Sequence, residues 1–291
     1  MDFPSLPGQI PAFPRDCPAG STYSSGIKSG AQAAEGSIMP SRVAIFAYGL
    51  ASYAIFLATF LYAVGFIGDF GVPKAMDSAR EVPLAPALLI DLALLGLFAV
   101  QHSLMARPAF KRWWTKVVPE PAERSTYVLF SSLALIALFW FWQPLGGMVW
   151  QVESPTGRAL LYGAFATGWL LVLVATFLIN HFDLFGLRQV WLHLIGRPYT
   201  ALNFVTPAPY RVVRHPLYVG WLLVFWSTPD MSVTHLLFAM MTTAYILIAI
   251  QLEERDLIAA HPEYAEYRRR VPMLMPSLRL ARVKATRTQG A

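Results

Sequence analysis

The sequence predicts an all-α protein, a polytopic transmembrane helical bundle, and three observations carry that prediction. Of its 291 residues 56% are hydrophobic and 14% charged, with a mean hydropathy of +0.47, whereas soluble domains carry about 25% charged residues. Apolar runs recur at the length a membrane helix needs. Lys and Arg crowd alternate connections between those runs and nearly vanish from the others.

Residues 1–40 hold six prolines, many Gly, Ser and Ala, and no apolar run. Such a composition cannot bury a core and reads as a disordered tail. It lacks the basic and apolar regions of a secretory signal. The single cysteine, Cys17, lies here, which excludes a disulfide pair and a cysteine-ligated metal.

Apolar runs follow at 43–67, 84–104, 127–143 and 159–179, each near the ~20 residues that cross hydrocarbon. A fifth run, 217–228, rises only ~18 Å as a helix, and a sixth covers 233–252. Between them Pro229 and Asp230 predict a turn, so the fifth run is the short arm of a hairpin. The expected bundle has about five full spans plus that arm. Along the chain this gives a tail (1–40), a transmembrane and substrate-shaping region (41–209), a helical hairpin with a cap (210–276) and a basic tail (277–291).

Twenty of the 23 Lys and Arg residues fall in 1–42, 105–126, 180–216 and 253–291. Basic residues mark cytoplasmic loops, so both termini are expected in the cytoplasm. The same bias accounts for the net charge of +6 without invoking a nucleic acid.

On this topology the unusual polar residues gather at one depth. The second span ends in Gln101-His102-Ser103 and the fourth in Asn180-His181-Phe182-Asp183. The short arm opens with Arg214-His215-Pro216, and the last run closes at Glu253-Glu254. Each set alone is also explained as a solvated helix end. Their convergence resembles a binding pocket, in which apolar walls carry a few polar groups. Pro216 suits a first helical turn, whose free N–H groups can take a carboxylate. Tyr218 adds a hydroxyl, and Gly220 admits close approach by a ligand or another backbone. Glu253 and Glu254 stand about 100° apart around a helix, so one of them faces the site. Unequal arms would set Glu253 ~10 Å beyond His215, a gap that a nucleoside-sized ligand bridges.

"RHPLYVG" (214–220), the glutamate pair and "HPEYAEYRRRVPMLMP" (261–276) resemble the C-terminal core of membrane methyltransferases that use S-adenosylmethionine. These include isoprenylcysteine carboxyl methyltransferase and the phospholipid N-methyltransferases. The resemblance implies that Arg214, His215, Tyr218, Gly220, Glu253 and Glu254 hold that cofactor. "AVQHSLMARPAFKRWWTKVVPEPAERSTYVLF" (99–130) and "INHFDLFGLRQVW" (179–191) are similar to the bacterial methanethiol S-methyltransferases, which share a superfamily with a denitrification-linked group. The implied activity is methyl transfer to a small thiol, methanethiol giving dimethyl sulfide, with hydrogen sulfide as a further acceptor. The implied location is a lipid-embedded site on the cytoplasmic face of a bacterial inner membrane. The chain has no G-x-G, so a Rossmann-type cofactor loop is absent.

An alkyl thiol has a pKa above the ~8.5 of cysteine and needs a base at neutral pH. His102 and His181 are the candidates, with Asp183 to orient a histidine. Asp91 shares a helical face with His102, and an intramembrane aspartate is a functional suspect. Two alternatives remain open. One is a methyltransferase for prenylcysteine carboxylates or phospholipids. The other is a non-enzymatic heme-handling protein in which His102, His181 and His193 bind the group. No residue is assigned to a metal, and the sequence does not specify an oligomeric state.

Overall fold

The computed structural model describes residues 26–79, 82–202 and 205–276, with side chains from Met39 onward. Two compact units divide the chain, residues 1–41 and 42–291. The described residues of the first are helical and belong to α1, Gly26–Gly68. That helix begins inside the stretch expected to be a tail, where Ala31, Ala33 and Ala34 supply strong helix formers. Pro40 lies within it. Residues 1–25 and 277–291, including Cys17, lie outside the described residues.

Five helices are long and apolar enough to cross a membrane: Met39–Gly68 of α1, α2 (Leu84–Ala106), α4 (Glu120–Phe141), α5 (Pro155–Leu178) and α9 (Val233–Ala260). They make the chain an integral membrane protein. Leu89, Val100, Leu160 and Leu170 stand exposed on their outer surfaces, as lipid contact requires. Shorter helices join them: α3 (Pro108–Trp114), α6 (His181–Leu184), α7 (Leu187–Leu194), α8 (Pro216–Trp226) and α10 (Tyr264–Arg270), with a 3-10 turn at Ala208–Arg211. The short apolar arm is therefore α8.

Two boundaries move for physical reasons. α4 starts at Glu120, seven residues before the apolar run, because Pro121 fits the first turn and Glu120 and Glu123 complement its N-terminal dipole. α9 continues eight residues past the apolar run, so Glu253 and Glu254 lie inside a helix rather than at its mouth.

The turn expected at Pro229–Asp230 is replaced by a strand. β2 (Asp230–Ser232) pairs antiparallel with β1 (Met148–Gln151), Gln151 opposite Asp230 and Met148 opposite Ser232. Arg158 fastens this ribbon through two bonds to Asp230, at 2.9 and 2.7 Å. Ser232 then caps α9 by accepting the His235 N–H at 2.9 Å.

The core sits between the spans, around Phe66, Leu138, Trp142, Val224, Phe225 and Phe238. α2 packs along α4, and α5 along α8. At the second contact the backbones touch. A Cβ on Gly168 would lie 2.8 Å from the Gly220 carbonyl oxygen, and one on Gly220 would lie 2.9 Å from that of Gly168. Small residues serve membrane helices in this way.

Candidate active site

The start of α8 is tied to the C-terminal cap by backbone bonds, Arg214 N–H to Pro272 O at 2.8 Å and His215 N–H to Met273 O at 3.2 Å. Side chains close the joint. Glu254, 1% exposed, accepts from Arg214 Nε at 2.7 Å and lies 3.0 Å from His215 Nε2 on the same oxygen. Its other oxygen is 3.0 Å from Arg268 Nε. Tyr264 adds a longer bond at 3.4 Å. Arg214 also donates to the carbonyl of Arg268 at 2.9 Å. Glu254 is thus committed to the protein itself.

Its neighbour turns the other way. Glu253 accepts the Tyr218 hydroxyl at 2.9 Å and lines a cavity of about 280 Å³. Its second oxygen has no hydrogen-bond partner among the described residues. Leu202, Val205, Leu217 and Leu257 form apolar walls, with the rings of Tyr210, Tyr264 and Tyr267 beside them. Burial, and then the Glu253 charge, raise the Tyr210 hydroxyl. Burial pushes that of Tyr267 up to about 12, so both stay neutral. The cavity offers one carboxylate, several neutral hydroxyls and aromatic faces.

The arms are not separated as helix rise alone suggested, since His215 meets Glu254 and Tyr218 meets Glu253. Residues 230–232 form a strand, and extended chain gains length at about twice the rate of helix. Gly220 leaves the site altogether. Its bare face lies on Gly168 and Val172 of α5, so its close approach is to a helix.

The three candidate catalytic residues occupy two separate places. His181 is buried, with Nε2 2.8 Å from the Tyr53 hydroxyl and Nδ1 2.9 Å from that of Thr176. Phe177 stacks on the ring at 4.3 Å. Burial holds its pKa below the usual histidine value, leaving the ring neutral with both nitrogens engaged. Asp183 does not orient it. That carboxylate takes Arg188 at 2.9 Å and the Tyr199 hydroxyl at 3.3 Å, and Arg188 passes the link to Thr200. The charged partner wins over the neutral ring because ion-assisted bonds are the stronger.

His102 stands between α2 and α4. The Tyr127 hydroxyl is 2.9 Å from Nε2 and the Ser131 hydroxyl 3.1 Å from Nδ1, with Phe98 stacked at 5.1 Å. Ser103 donates to the Tyr245 hydroxyl of α9 at 3.2 Å. Asp91 lies near the opposite end of α2, fully buried and accepting the Gln143 N–H at 2.8 Å. That places it in the packing of α2 against the end of α4. Among the described residues no group of three His, Cys, Asp or Glu side chains stands together as metal ligands.

Sequence reasoning passed over Tyr127, Tyr210, Tyr245, Tyr264, Tyr267 and Arg268. Tyr264, Tyr267 and Arg268 sit within the 261–276 segment already singled out. Tyr127 sits within the quoted 99–130 segment, whereas Tyr210 and Tyr245 carried no signal of their own.

Comparison with known proteins adds a family context. No family model and no solved structure matches the chain. Methanethiol S-methyltransferase of Crocosphaera subtropica is 60% identical over 237 residues, 81% of this chain and 93% of that protein. The protein of the same name from Mycobacterium tuberculosis is 53% identical over 79% of this chain and 94% of its own. Nurim of Rattus norvegicus is 31% identical over 67% of this chain and 78% of its own.

Proposed function

The chain belongs to the methanethiol S-methyltransferase family, and on that premise we propose that it methylates methanethiol to dimethyl sulfide with S-adenosylmethionine as donor. The site faces the cytoplasm of a bacterial inner membrane in this reading, as the distribution of Lys and Arg suggests. The observation that carries the donor assignment is the cavity itself. A sulfonium nucleoside has one cation, ribose hydroxyls and a flat base. Glu253 offers a carboxylate oxygen to the first two, and the rings of Tyr210 and Tyr264 offer faces to the third. The donor set fits the ligand.

When bound, that donor supplies an electrophilic methyl group. The protein's residues do the rest. Arg214, His215, Glu254 and Arg268 fix the wall against which it binds. Tyr218 fixes the Glu253 carboxylate. The apolar walls exclude water, which favours a reaction that joins a cation and a thiolate into neutral products. Hydrogen sulfide is the smaller acceptor to which the same site extends.

The test uses purified full-length protein, labelled S-adenosylmethionine and a panel of methanethiol, hydrogen sulfide, prenylcysteine and phosphatidylethanolamine acceptors. Dimethyl sulfide in the headspace supports the reading. Label transferred to lipid and not to thiol overturns it.

A further inference from the structure

Helix α7 packs against the first turns of the α1 span. Arg42, Phe46 and Gly49 share one face of α1, four and three residues apart. A Cβ on Gly49 would lie 2.7 Å from Val190 Cγ2, and the Phe46 and Trp191 rings stand 5.9 Å apart. Val190 is fully buried in this contact, whereas Trp191 and Ile195, one turn apart, are 50% and 43% exposed. Beside them Val43 of α1 is exposed too. A short segment that buries one side and leaves Trp and Ile bare at the end of a membrane span has the pattern of an interfacial element.

Two arginines frame the bare side. Gly196 has a φ of +68°, and a Cβ there would meet Arg42 Nη1 at 2.8 Å. The missing side chain leaves room for the Arg42 guanidinium on the backbone. Arg42 is half-buried, and its Nε is enclosed with no hydrogen-bond partner among the described residues. Arg197 follows Gly196 and is exposed. Among the described residues neither side chain makes an ion pair or a hydrogen bond. Asp183, the carboxylate of α6, is already taken by Arg188 and Tyr199. A partly desolvated cation without a counter-charge calls for an anion.

We propose that Arg42, Trp191, Ile195 and Arg197 form a binding site for an anionic phospholipid of the surrounding leaflet. The phosphate lies between the two guanidinium groups, whose planar forks suit its oxygens. The acyl chains run along Trp191 and Ile195. An anionic headgroup leaves the arginines unopposed, whereas a zwitterionic one brings its own cation into competition with them. Because Arg42 belongs to α1 and Arg197 follows α7, one headgroup ties the two together. The chain beyond Arg197 runs to Thr200, held by Arg188, and to Leu202 in the donor-cavity wall. The site is independent of which acceptor the enzyme methylates.

The experiment reconstitutes full-length protein in phosphatidylcholine vesicles with increasing fractions of bromine-labelled phosphatidylglycerol, or of bromine-labelled phosphatidylcholine as control. Tryptophan emission is followed. The chain has nine tryptophans, so each protein is compared with its own Trp191→Phe partner, and the difference isolates Trp191. In wild type the labelled phosphatidylglycerol should quench that share at a lower fraction than the labelled phosphatidylcholine. A basic residue near an anionic surface contributes about fivefold. Arg42→Gln and Arg197→Gln should therefore each raise the phosphatidylglycerol fraction required about fivefold and leave the phosphatidylcholine curve in place. Arg197→Lys, which keeps the charge, should stay near wild type. Arg197→Gln, at an exposed position, carries the test should Arg42→Gln fail to fold. Equal quenching by the two lipids in wild type, or a phosphatidylglycerol curve unmoved by the substitutions, overturns the proposal. Reversal of the quenching by inorganic phosphate, but not by chloride at equal ionic strength, would reveal a free-anion site and overturn the lipid assignment.

Discussion

Arg214 and Glu254 lie 40 residues apart in the sequence and meet at 2.7 Å, with side chains 10% and 1% exposed. Removing the carboxylate strands Arg214 and His215 in a buried place. Breaking a buried pair costs about 3–5 kcal/mol, so Glu254→Ala should lower the melting temperature sharply in detergent, and Glu254→Gln less so. An unchanged melting curve would contradict the structural role.

Glu253 should behave oppositely. Its substitution leaves no buried cation without a partner, so Glu253→Gln should melt like wild type. Donor affinity should fall, because a hydrogen bond to a charged group contributes about 1.5–3 kcal/mol, or roughly ten- to a hundredfold. Calorimetric titration with S-adenosylmethionine measures this. Equal affinity in both proteins removes Glu253 from the donor site.

Asp183→Asn tests whether that carboxylate orients a catalytic histidine. Because the carboxylate holds Arg188 and Tyr199 rather than His181, its loss should leave the pH dependence of turnover in place. A partly exposed pair contributes about 0–1 kcal/mol, so the change in donor KM should stay within about fivefold. A displaced pH profile would show that Asp183 governs a titrating base after all.

Acid should loosen the ribbon. The Arg158 hydrogen bonds hold the Asp230 carboxyl below its usual value. A carboxylate depressed in the folded state adds stability above its unfolded pKa, and that stability is lost as pH falls through the folded one. Below about pH 4, the ordinary aspartate value, melting of wild type should fall more steeply than melting of Arg158→Gln. Parallel curves for the two proteins would mean the clasp adds nothing.

Gly168→Val drives a side chain into the Gly220 carbonyl and into Leu223. Overpacking costs about 1–3 kcal/mol, and here backbone rather than a flexible side chain must yield. Reduced thermal stability together with weaker donor binding is expected, since α8 carries Tyr218. A stable variant with normal affinity would show that α5 does not position α8.

The spans were legible because hydropathy and length respond to the same physics, lipid contact on one side and helix rise on the other. Their ends were not. Glu120, Glu123 and Arg124 broke the apolar run at α4 although Pro121 and the helix dipole favour helix there. In the site, the glutamate pair announced itself, but sequence cannot say which of two adjacent residues is claimed by Arg214. Gly220 signalled a close approach and concealed what approaches, the backbone of Gly168. Asp183 beside His181 suggested a dyad, yet Arg188, five residues onward, offered a full charge. Tyr127 shows the same limit, since only the packing of α4 on α2 brings its hydroxyl to His102.

The backbone bonds from Arg214 and His215 to Pro272 and Met273 set an order of events during synthesis. A ribosome that has threaded all five spans into the bilayer has still not delivered the residues that brace the cavity beside Glu253. Until the nascent polypeptide passes Met273, the mouth of α8 stays unbraced, and the freshly inserted bundle waits without a finished pocket.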